Sequence, residues 1–157
     1  GEVVTRGLAD FYGIPYTIVR PSAVYGPTDM NRRVSQIFIE KALNKQKIKV
    51  HGKDEKLDFT YIKDIAHGAI LATIKKEGIG EDFNITHGRA HTLLDYVECL
   101  KYHFPDLDYE ILPRDSFRPK RGTLSIEKAS KLLGYEPQYS LKEGVNDYVE
   151  FINKHWT

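Results

Sequence analysis

Cysteine is nearly absent from this sequence, which contains only Cys99 among its 157 residues. A single cysteine excludes an internal disulfide and cannot by itself build a metal site. Its neighbours Leu94, Val97 and Leu100 recur at the spacing of one helix face, which favours a core thiol. We therefore expect Cys99 to be a packing residue.

Long apolar runs and an excess of one charge are also missing. No stretch approaches the roughly 18 apolar residues of a membrane span, and the first residues do not form a charged-then-apolar signal segment. The sequence therefore predicts no membrane partner and a cytoplasmic location. The 23 Lys and Arg residues nearly balance the 22 Asp and Glu residues, for a net charge of +1. This balance argues against a nucleic-acid partner bound mainly by charge.

Glycine-rich phosphate-binding turns are absent as well. The chain contains neither Gly-x-x-Gly-x-x-Gly nor Gly-x-Gly-x-x-Gly, so it lacks the usual seat for the pyrophosphate of a dinucleotide. A helix is predicted over residues 1–12 and ends at Gly13. No Ser, Thr, Asp or Asn precedes its apolar stripe as an N-cap. From this we expect the chain to be cut from a longer one.

The most informative stretch that is present runs from residue 16 to residue 27. Its β-branched run from Thr17 to Val19 is typical of a buried parallel strand, which should end at Arg20-Pro21 because proline has no donor for a ladder. Gly26-Pro27 predicts a second turn, so residues 22–25 form a short arch after the strand. Open α/β sheets bind ligands at this carboxyl edge, which makes the arch a candidate site.

Helices and strands are predicted to alternate through the rest of a single domain large enough to bury a core. An alternating strand is predicted over 45–52 and a brief buried strand over 83–86. Helices are predicted over 33–43, from 124 to 133, after the capping pairs Thr92/Asp95 and Ser140/Glu143, and after residue 61 with an apolar face of Ile62, Ile65, Ala66, Ala69, Ile70 and Thr73.

Several of these segments have recognisable patterns: Arg-Pro-x-x-Val-Tyr-Gly-Pro at 20–27, Asp-Phe-Thr-Tyr-Ile-Lys-Asp at 58–64, Phe-Asn-Ile-Thr at 83–86, and the tail at 127–144. They resemble RPxxVYGP, RDFxYVxD, FNIG and SKAxxLLGYxPxxSLxEG of the extended short-chain dehydrogenase/reductases, the NAD-dependent epimerase/dehydratase family that acts on nucleotide sugars.

The resemblance implies an α/β fold made of the last strands of a Rossmann-like parallel sheet plus the mixed α/β substrate-binding domain of that family. Residues 1–30 would belong to the Rossmann part. Residues 31–157 would form mostly the substrate-binding domain, with segments of 48–85 returning to the sheet.

The resemblance also implies a cofactor, NAD or NADP. Gly1-Glu2 matches the end of the family pattern YxxSKxxGE, so both catalytic residues would lie upstream and this chain would contain none. The cofactor would therefore bind only together with the missing amino-terminal half. Pro21 and the arch residues Ser22, Ala23 and Val24 would wall the nicotinamide with their backbone groups.

Basic residues give candidates for binding a nucleotide diphosphate sugar. Arg32-Arg33 precedes a predicted helix, where cations are unfavourable unless they face solvent or an anion is held there. The loop 113–122 is either a solvated basic loop or a phosphate clamp. His51 is either a solvent-facing histidine or, by the resemblance, a residue stacked on the base. The expected substrate contacts are Arg33, Val34, Lys49, His51, Arg118 and Arg121.

Two positions depart from the family pattern. Leu57 stands where an arginine usually reaches the diphosphate, and Ala23 stands where an asparagine is common. His67 is interpreted as structural, and His87, His91 and His103 lack a carboxylate partner at ligand spacing, so no metal site is predicted.

The function expected from the sequence is that of the carboxyl-terminal half of a nucleotide-sugar epimerase or dehydratase, inactive alone. Two alternatives remain: a non-catalytic nucleotide- or partner-binding module, and a structural subunit of a split enzyme. The expected partners are a nucleotide diphosphate sugar and either the missing half or a second copy of the chain, because uncovered sheet edges and apolar faces promote self-association.

Overall fold

Helices and short strands alternate along the chain in the computed structural model, which describes residues 1–116 and 119–155. In order, they are α1 (Glu2–Tyr12), β1 (Ile18–Pro21), β2 (Val24–Tyr25), α2 (Val34–Leu43), β3 (Ile48–His51), β4 (Lys56–Leu57), β5 (Thr60–Tyr61), α3 (Ile62–Ile74), β6 (Asp82–Ile85), β7 (His91–Thr92), α4 (Leu93–Lys101), β8 (Tyr109–Leu112), α5 (Glu127–Leu133) and α6 (Leu141–His155).

The strands of the described ranges pair two by two. β1 pairs with β6, β2 with β5 and β3 with β8, each in parallel, and β4 pairs with β7 antiparallel. Parallel partners need a crossover between them, and α2 and α3 lie within these crossovers. The predicted α/β alternation is therefore present.

Strand β1 differs from its prediction in extent and burial. It runs from Ile18 to Pro21 and is half-buried with Pro21 exposed, instead of a buried strand over 17–19. Thr17 lies before it and donates a hydrogen bond to the carbonyl of Gly78 at 2.7 Å. Proline is tolerated at the end of β1 because its missing N–H removes no bond from the ladder interior.

An ion-pair network fixes α1 against this strand pair. Arg20 on β1 contacts both carboxylate oxygens of Glu2 at 2.6 Å and reaches Asp82 on β6 at 2.5 Å. Arg6 donates to Asp82 at 2.7 Å and to the Tyr16 hydroxyl at 3.2 Å. The arginines lower the pKa values of Glu2 and Asp82 by stabilising the charged carboxylates.

The predicted apolar face of α3 is wrong in phase. The buried residues of this helix are Asp64, Gly68 and Ala72, whereas Ile62 and Ile70 are exposed. The Asp64 carboxylate accepts hydrogen bonds from the backbone N–H groups of residues 138 and 139, at 2.8 and 3.3 Å. Partnered in this way, a carboxylate can be buried, so α3 turns this side inward.

Helix α5 begins at Glu127 rather than at residue 124. The preceding residues are committed to other bonds: the Leu124 N–H donates to Asp58 at 3.0 Å, and the Ser125 carbonyl accepts from Asn84 at 2.9 Å. The predicted capping pairs are confirmed. In the Thr92 pair, Asp95 N–H donates to the Thr92 hydroxyl at 3.0 Å and the Thr92 N–H donates to the Asp95 carboxylate at 2.7 Å.

Two clusters of buried side chains form the core. The larger lies among α2, α4, α6 and the strands β2, β3 and β5, and centres on Tyr25, Tyr61, Tyr96 and Tyr148. Cys99 is half-buried against it, and burial raises the pKa of its thiol, consistent with a packing role. The smaller cluster joins α3 and α5 to β6 through Phe83, Ile85, Leu133 and Tyr135.

Candidate functional site

A cavity of about 730 Å³ opens beside the arch that follows β1. We call it the main cavity. Its walls come from the arch, α2 and the two residues before it, the exposed face of β3, the segment 55–59 around β4, the first residue of α4 and the loop that follows β8. Segments distant in sequence therefore meet around one space large enough for a small-molecule ligand.

The four residues predicted to contact the cofactor, Pro21 and three residues of the arch, differ in their position relative to the main cavity. Ala23 and Val24 line the main cavity, whereas Pro21 and Ser22 are not among the residues around it. Ala23 has a left-handed φ of 37°, and its carbonyl accepts a hydrogen bond from the Thr60 N–H at 3.3 Å. This bond and the β2–β5 pairing that begins at Val24 fix the backbone of the arch.

Gly26, just after the arch, is required by close packing. A Cβ added there would lie 2.5 Å from Ile62 Cγ2, and the residue has a φ of 146°. Next to it, the buried Tyr25 hydroxyl donates to the carbonyl of Leu141 at 3.3 Å, and burial raises the pKa of this phenol. The arch is thus attached to the core at one end and half-exposed at the cavity.

The amino terminus of α2 forms a second wall. Arg33 is the N-cap residue, and Arg32, Arg33, Val34 and Ser35 all line the main cavity. Arg32 has a left-handed φ of 50°, and its N–H donates to the side-chain oxygen of Gln36 at 2.7 Å. This bond holds the strained backbone that carries Arg32 into the cavity wall.

Strand β3 contributes its exposed face. Its alternation buries Ile48 and Val50 and leaves Lys49 and His51 exposed, and both exposed residues line the main cavity. Because side chains alternate across a strand, burial of one pair directs the other to the opposite face. The half-exposed strand predicted from the sequence is confirmed.

An ion pair between Glu55 and Arg114 lies where the main cavity meets a second cavity of about 450 Å³. Both residues line both cavities. Gly52 lies against this pair, with a φ of 81° and no room for a Cβ, which would be 2.7 Å from Glu55 Cγ. The pair is partly buried and joins the loop after β8 to the turn after β3.

The loop after β8 brings Arg121 to the main cavity. Asp58, which is 1% exposed, anchors the far end of this loop through the Leu124 N–H, and its carboxylate also accepts from the Thr86 hydroxyl at 3.1 Å. The Ala90 N–H donates to the Thr123 hydroxyl at 3.0 Å. Arg118, the other arginine predicted on this loop, lies outside the described residues.

The floor of the main cavity is apolar, formed by Phe38, Leu57, Phe59 and Leu93. Leu57 is the residue that stands where the family pattern has an arginine. Its neighbour Phe59 is buried and packs against Tyr96 with 5.1 Å between ring centroids. The charged residues of the described lining are Glu55 and Asp115 and the more numerous basic residues Arg32, Arg33, Lys41, Lys49, Arg114 and Arg121.

Residues predicted separately thus lie around one space: Ala23, Val24, Arg33, Val34, Lys49, His51 and Arg121. Sequence reasoning did not single out Ser35, Lys41, Glu55 or Arg114. Arg114 lay within the basic loop recognised in the sequence, but its pairing with Glu55 depends on strands β3 and β8 being neighbours. Within residues 1–116 and 119–155, no group of three His, Cys, Asp or Glu side chains is arranged to hold a metal ion.

Parallel strand pairs flanked by helices, with a basic cavity beside the carboxyl end of a strand, are features of α/β folds, and extended short-chain dehydrogenase/reductases have such a fold. Solved structures of that class are similar over nearly the whole chain. The UDP-glucose 4-epimerase of Thermotoga maritima, solved with UDP-glucose, has a TM-score of 0.87 and 31% identity over 99% of this chain and 52% of that one. The fold class predicted from the sequence is confirmed.

The chain belongs to the NAD dependent epimerase/dehydratase family, whose model matches residues 1–86. A UDP-glucuronic acid 4-epimerase of Bacillus cereus, solved with UDP-glucuronic acid and NAD, has a TM-score of 0.88 and 28% identity over 99% of this chain and 50% of that one. An uncharacterized UDP-glucose epimerase of Bacillus subtilis is 27% identical over 98% of this chain and 49% of the relative.

The chain spans about half the length of the relatives it matches. It is thus homologous to about half of a nucleotide-sugar epimerase or dehydratase. In the described part of the chain, no helix is both long and apolar enough to cross a membrane.

Proposed function

We propose that this chain is the carboxyl-terminal, substrate-binding half of a nucleotide-sugar epimerase or dehydratase, and that its main cavity binds a nucleotide diphosphate sugar. The observation that carries the proposal is the lining of the cavity, which combines apolar side chains with six arginine and lysine residues. Arginine matches phosphate oxygens through paired donors, and an apolar floor suits the faces of a base or a sugar ring.

Each predicted contact has a role in this proposal. Arg33, Lys49 and Arg121 bind the diphosphate, together with Arg118 and the backbone of Val34. His51, at the end of β3, contacts the base. Leu57 and the other apolar lining residues cannot neutralise the negative charge of a diphosphate. In this proposal the basic residues of the lining neutralise it.

The residues of the arch fit one end of a nicotinamide cofactor. Ala23 and Val24 form a fixed, half-exposed wall of the main cavity, and in this proposal they exclude water from the face of the ring. Bound there, NAD or NADP would supply transient oxidation of the sugar. These residues fit only that end, because the sequence contains no glycine-rich turn for a pyrophosphate.

The catalytic base is not among these 157 residues in this proposal. No tyrosine in the sequence is followed four residues later by lysine, so the Tyr-x-x-x-Lys pair of the family must be supplied by an amino-terminal half. The chain alone should bind substrate and produce no product. A cytoplasmic location stays a prediction of the sequence.

Calorimetric titration of the chain with UDP-glucose, UDP-glucuronic acid and dTDP-glucose tests the proposal. Arg121→Ala should weaken binding of the preferred ligand roughly 10-fold or more, because a hydrogen bond to a charged phosphate is lost, and Arg118→Ala should do the same. Lys131→Ala, an exposed change on α5 away from the main cavity, is the matched control. Unchanged affinity in both arginine variants would contradict the clamp.

A non-catalytic binding module is the second candidate, favoured by Leu57 in the cavity floor and Ala23 in the arch. Mixing the chain with the separately expressed amino-terminal half of the Bacillus cereus relative discriminates the two. Turnover of a UDP-sugar by the mixture, and by neither half alone, supports the enzyme half. Tight sugar-nucleotide binding with no turnover in any assembled complex supports the binding module.

A further inference from the structure

The second cavity, of about 450 Å³, lies where strand β3 ends beside strand β8. His51, the last residue of β3, lines the main cavity and pairs in register with Leu112, which lines the second cavity. Neighbouring strands are only about 5 Å apart. The second cavity is therefore next to the end of the main cavity where His51 is proposed to contact the base.

Glu55 is fixed at the boundary between the two cavities, both of which it lines. Its backbone N–H donates to the carbonyl of Gly52 at 3.1 Å, and its own carbonyl accepts from the Leu93 N–H at 3.1 Å. Its side chain is 23% exposed, and the carboxylate accepts a hydrogen bond from Arg114 Nε through Oε1. The carboxylate is thus held in one position, as a residue that determines specificity requires.

The charge at this boundary suits the uncharged end of a nucleotide. The negative charge of Glu55 repels a diphosphate, whereas the N–H groups of a base can donate to a carboxylate, which only accepts. An ionised carboxylate has about four lone-pair sites, so Glu55 can accept from a base while its bond from Arg114 remains.

Guanine is the base whose edge complements a fixed carboxylate. It presents N1–H and N2–H₂ side by side, and two carboxylate oxygens can accept from both. Uracil and thymine present one N–H between two carbonyl oxygens, which a carboxylate repels. Adenine and cytosine present an amino group beside a ring nitrogen that is itself an acceptor. A two-ring base also needs more room than a pyrimidine, and the second cavity supplies it beside Ile111, Leu112 and Pro113.

We propose that the base subsite of this chain extends from His51 into the second cavity and selects guanine, with the Glu55 carboxylate accepting hydrogen bonds from N1–H and N2–H₂. The inference rests on the proposed function and names its substrate class, a guanosine diphosphate sugar. Arg114 is a positioning residue, because it orients the carboxylate of Glu55.

Calorimetric titration of the chain with nucleotides that differ only in the base tests the inference. Guanosine diphosphate should bind roughly 10-fold or more tighter than inosine diphosphate, which lacks only the 2-amino group, because a hydrogen bond to a charged acceptor is lost. It should also bind more tightly than uridine diphosphate. GDP-glucose should bind more tightly than UDP-glucose for the same reason.

The Glu55→Gln variant separates this role from a structural one. Glutamine offers one acceptor and one donor, which complement xanthine, whose C2 carries a carbonyl oxygen in place of the amino group. The variant should bind guanosine diphosphate roughly 10-fold less tightly and xanthosine diphosphate more tightly than the wild-type chain does. Glu136→Gln, an exposed change outside the lining of both cavities, is the matched control and should change neither affinity.

A second variant tests the use of the second cavity. Ile111 lines this cavity and is 49% exposed, so Ile111→Trp fills the space without replacing a buried core residue. The variant should bind GDP-glucose less tightly and bind UDP-glucose as the wild-type chain does, because a pyrimidine does not need this space.

The outcomes distinguish the two proposals. If the wild-type chain binds UDP-glucose at least as tightly as GDP-glucose, the guanine inference is wrong and the proposed function stands. If guanosine diphosphate shows the expected preference but no nucleotide sugar displaces it, the guanine inference stands and the proposed function fails. If the folded chain binds no nucleotide, both are wrong. Loss of affinity for guanosine diphosphate in Glu55→Gln without any gain for xanthosine diphosphate assigns Glu55 to structure alone and contradicts the inference.

Discussion

At the scale of single residues, Asp147 connects α6 to the start of α3. Lys63 Nζ lies 2.5 Å from Asp147 Oδ2, and the Tyr61 hydroxyl donates to the same oxygen. The hydrogen bond from Lys63, followed by that from Tyr61, lowers the pKa of the Asp147 carboxyl. A carboxyl whose pKa is lowered by folding stabilises the protein above its unfolded pKa, and this contribution is lost as the pH falls through the folded pKa.

We therefore expect Asp147→Asn to be less stable than the wild-type chain at pH 7, with a difference that shrinks below the ordinary carboxyl pKa of about 4. The difference at pH 7 should be about 1 kcal/mol or less, because solvent screens a side chain that is 35% exposed. Urea unfolding at pH 7 and pH 3 measures it. Asp106→Asn in an exposed turn is the control, and a difference independent of pH would argue against the ion pair.

Whether a site residue could be predicted depends on how far along the chain its determining neighbours lie. Lys49 and His51 follow from alternation within one strand, because burial of Ile48 and Val50 leaves their neighbours exposed. Glu55 and Arg114 are 59 positions apart, and their ion pair requires β3 and β8 to be adjacent. Ser35 reads in the sequence as an ordinary helix residue, and only the packing around α2 buries it at the cavity.

At the scale of elements, α3 depends on one glycine for its contact with the sheet. A Cβ at Gly68 would collide with Ile85 Cγ2 on β6 and come within 3.0 Å of the Tyr135 ring. The phase of α3 follows from this close approach and from the partnered Asp64. The apolar periodicity of its isoleucines therefore misled the sequence-based prediction.

We predict opposite effects for two glycine-to-alanine changes. Gly68→Ala should lower the free energy of unfolding by roughly 1–3 kcal/mol, because the added methyl overpacks the smaller core cluster. Gly7→Ala on α1, where a Cβ would meet nothing within 4 Å, should raise it by up to about 1 kcal/mol through helix propensity. Chemical denaturation of the two variants measures both effects. Equal stabilities would show that α3 can move away from β6 at little cost.

Other elements were predictable because their determinants are local. The capping pair Thr92/Asp95 marks the start of α4, and Gly134, with a φ of 69°, ends α5. The start of α5 was misplaced because Leu124 and Ser125 bond to Asp58 and Asn84, which are far away in sequence. Bonds within four residues are visible in a sequence, and bonds across the fold are not.

At the scale of the whole molecule, α1 and the segment after it leave a large apolar surface exposed. The exposed fractions are 84% for Val3, 79% for Phe11 and 65% for Tyr12, and Leu8 and Ile14 are more than half exposed. Contiguous exposed apolar surface of this kind marks an interaction site or an aggregation liability. Arg20 and Asp82 fix the helix in place through its polar residues, so its apolar residues remain outward.

We therefore predict that the isolated chain self-associates through α1. Size-exclusion chromatography with light scattering should give a mass above that of the 18.0 kDa monomer, and Phe11→Lys should shift the population toward monomer. Tyr102→Lys is the control, because this aromatic residue is 71% exposed and lies at the end of α4 rather than on α1. A monodisperse monomer at micromolar concentration would contradict the prediction.

The sequence by itself determined the alternation of helices and strands, the family, the arch after β1 and the basic character of the cavity residues. It could do so because caps, turns, strand alternation and motifs depend on neighbours along the chain. Only the tertiary structure decided which side of α3 is buried, that β3 lies beside β8, and that Ser35 and the Glu55–Arg114 pair line the main cavity. These features depend on contacts between distant segments, whose registers are set by packing and by partners for buried polar groups.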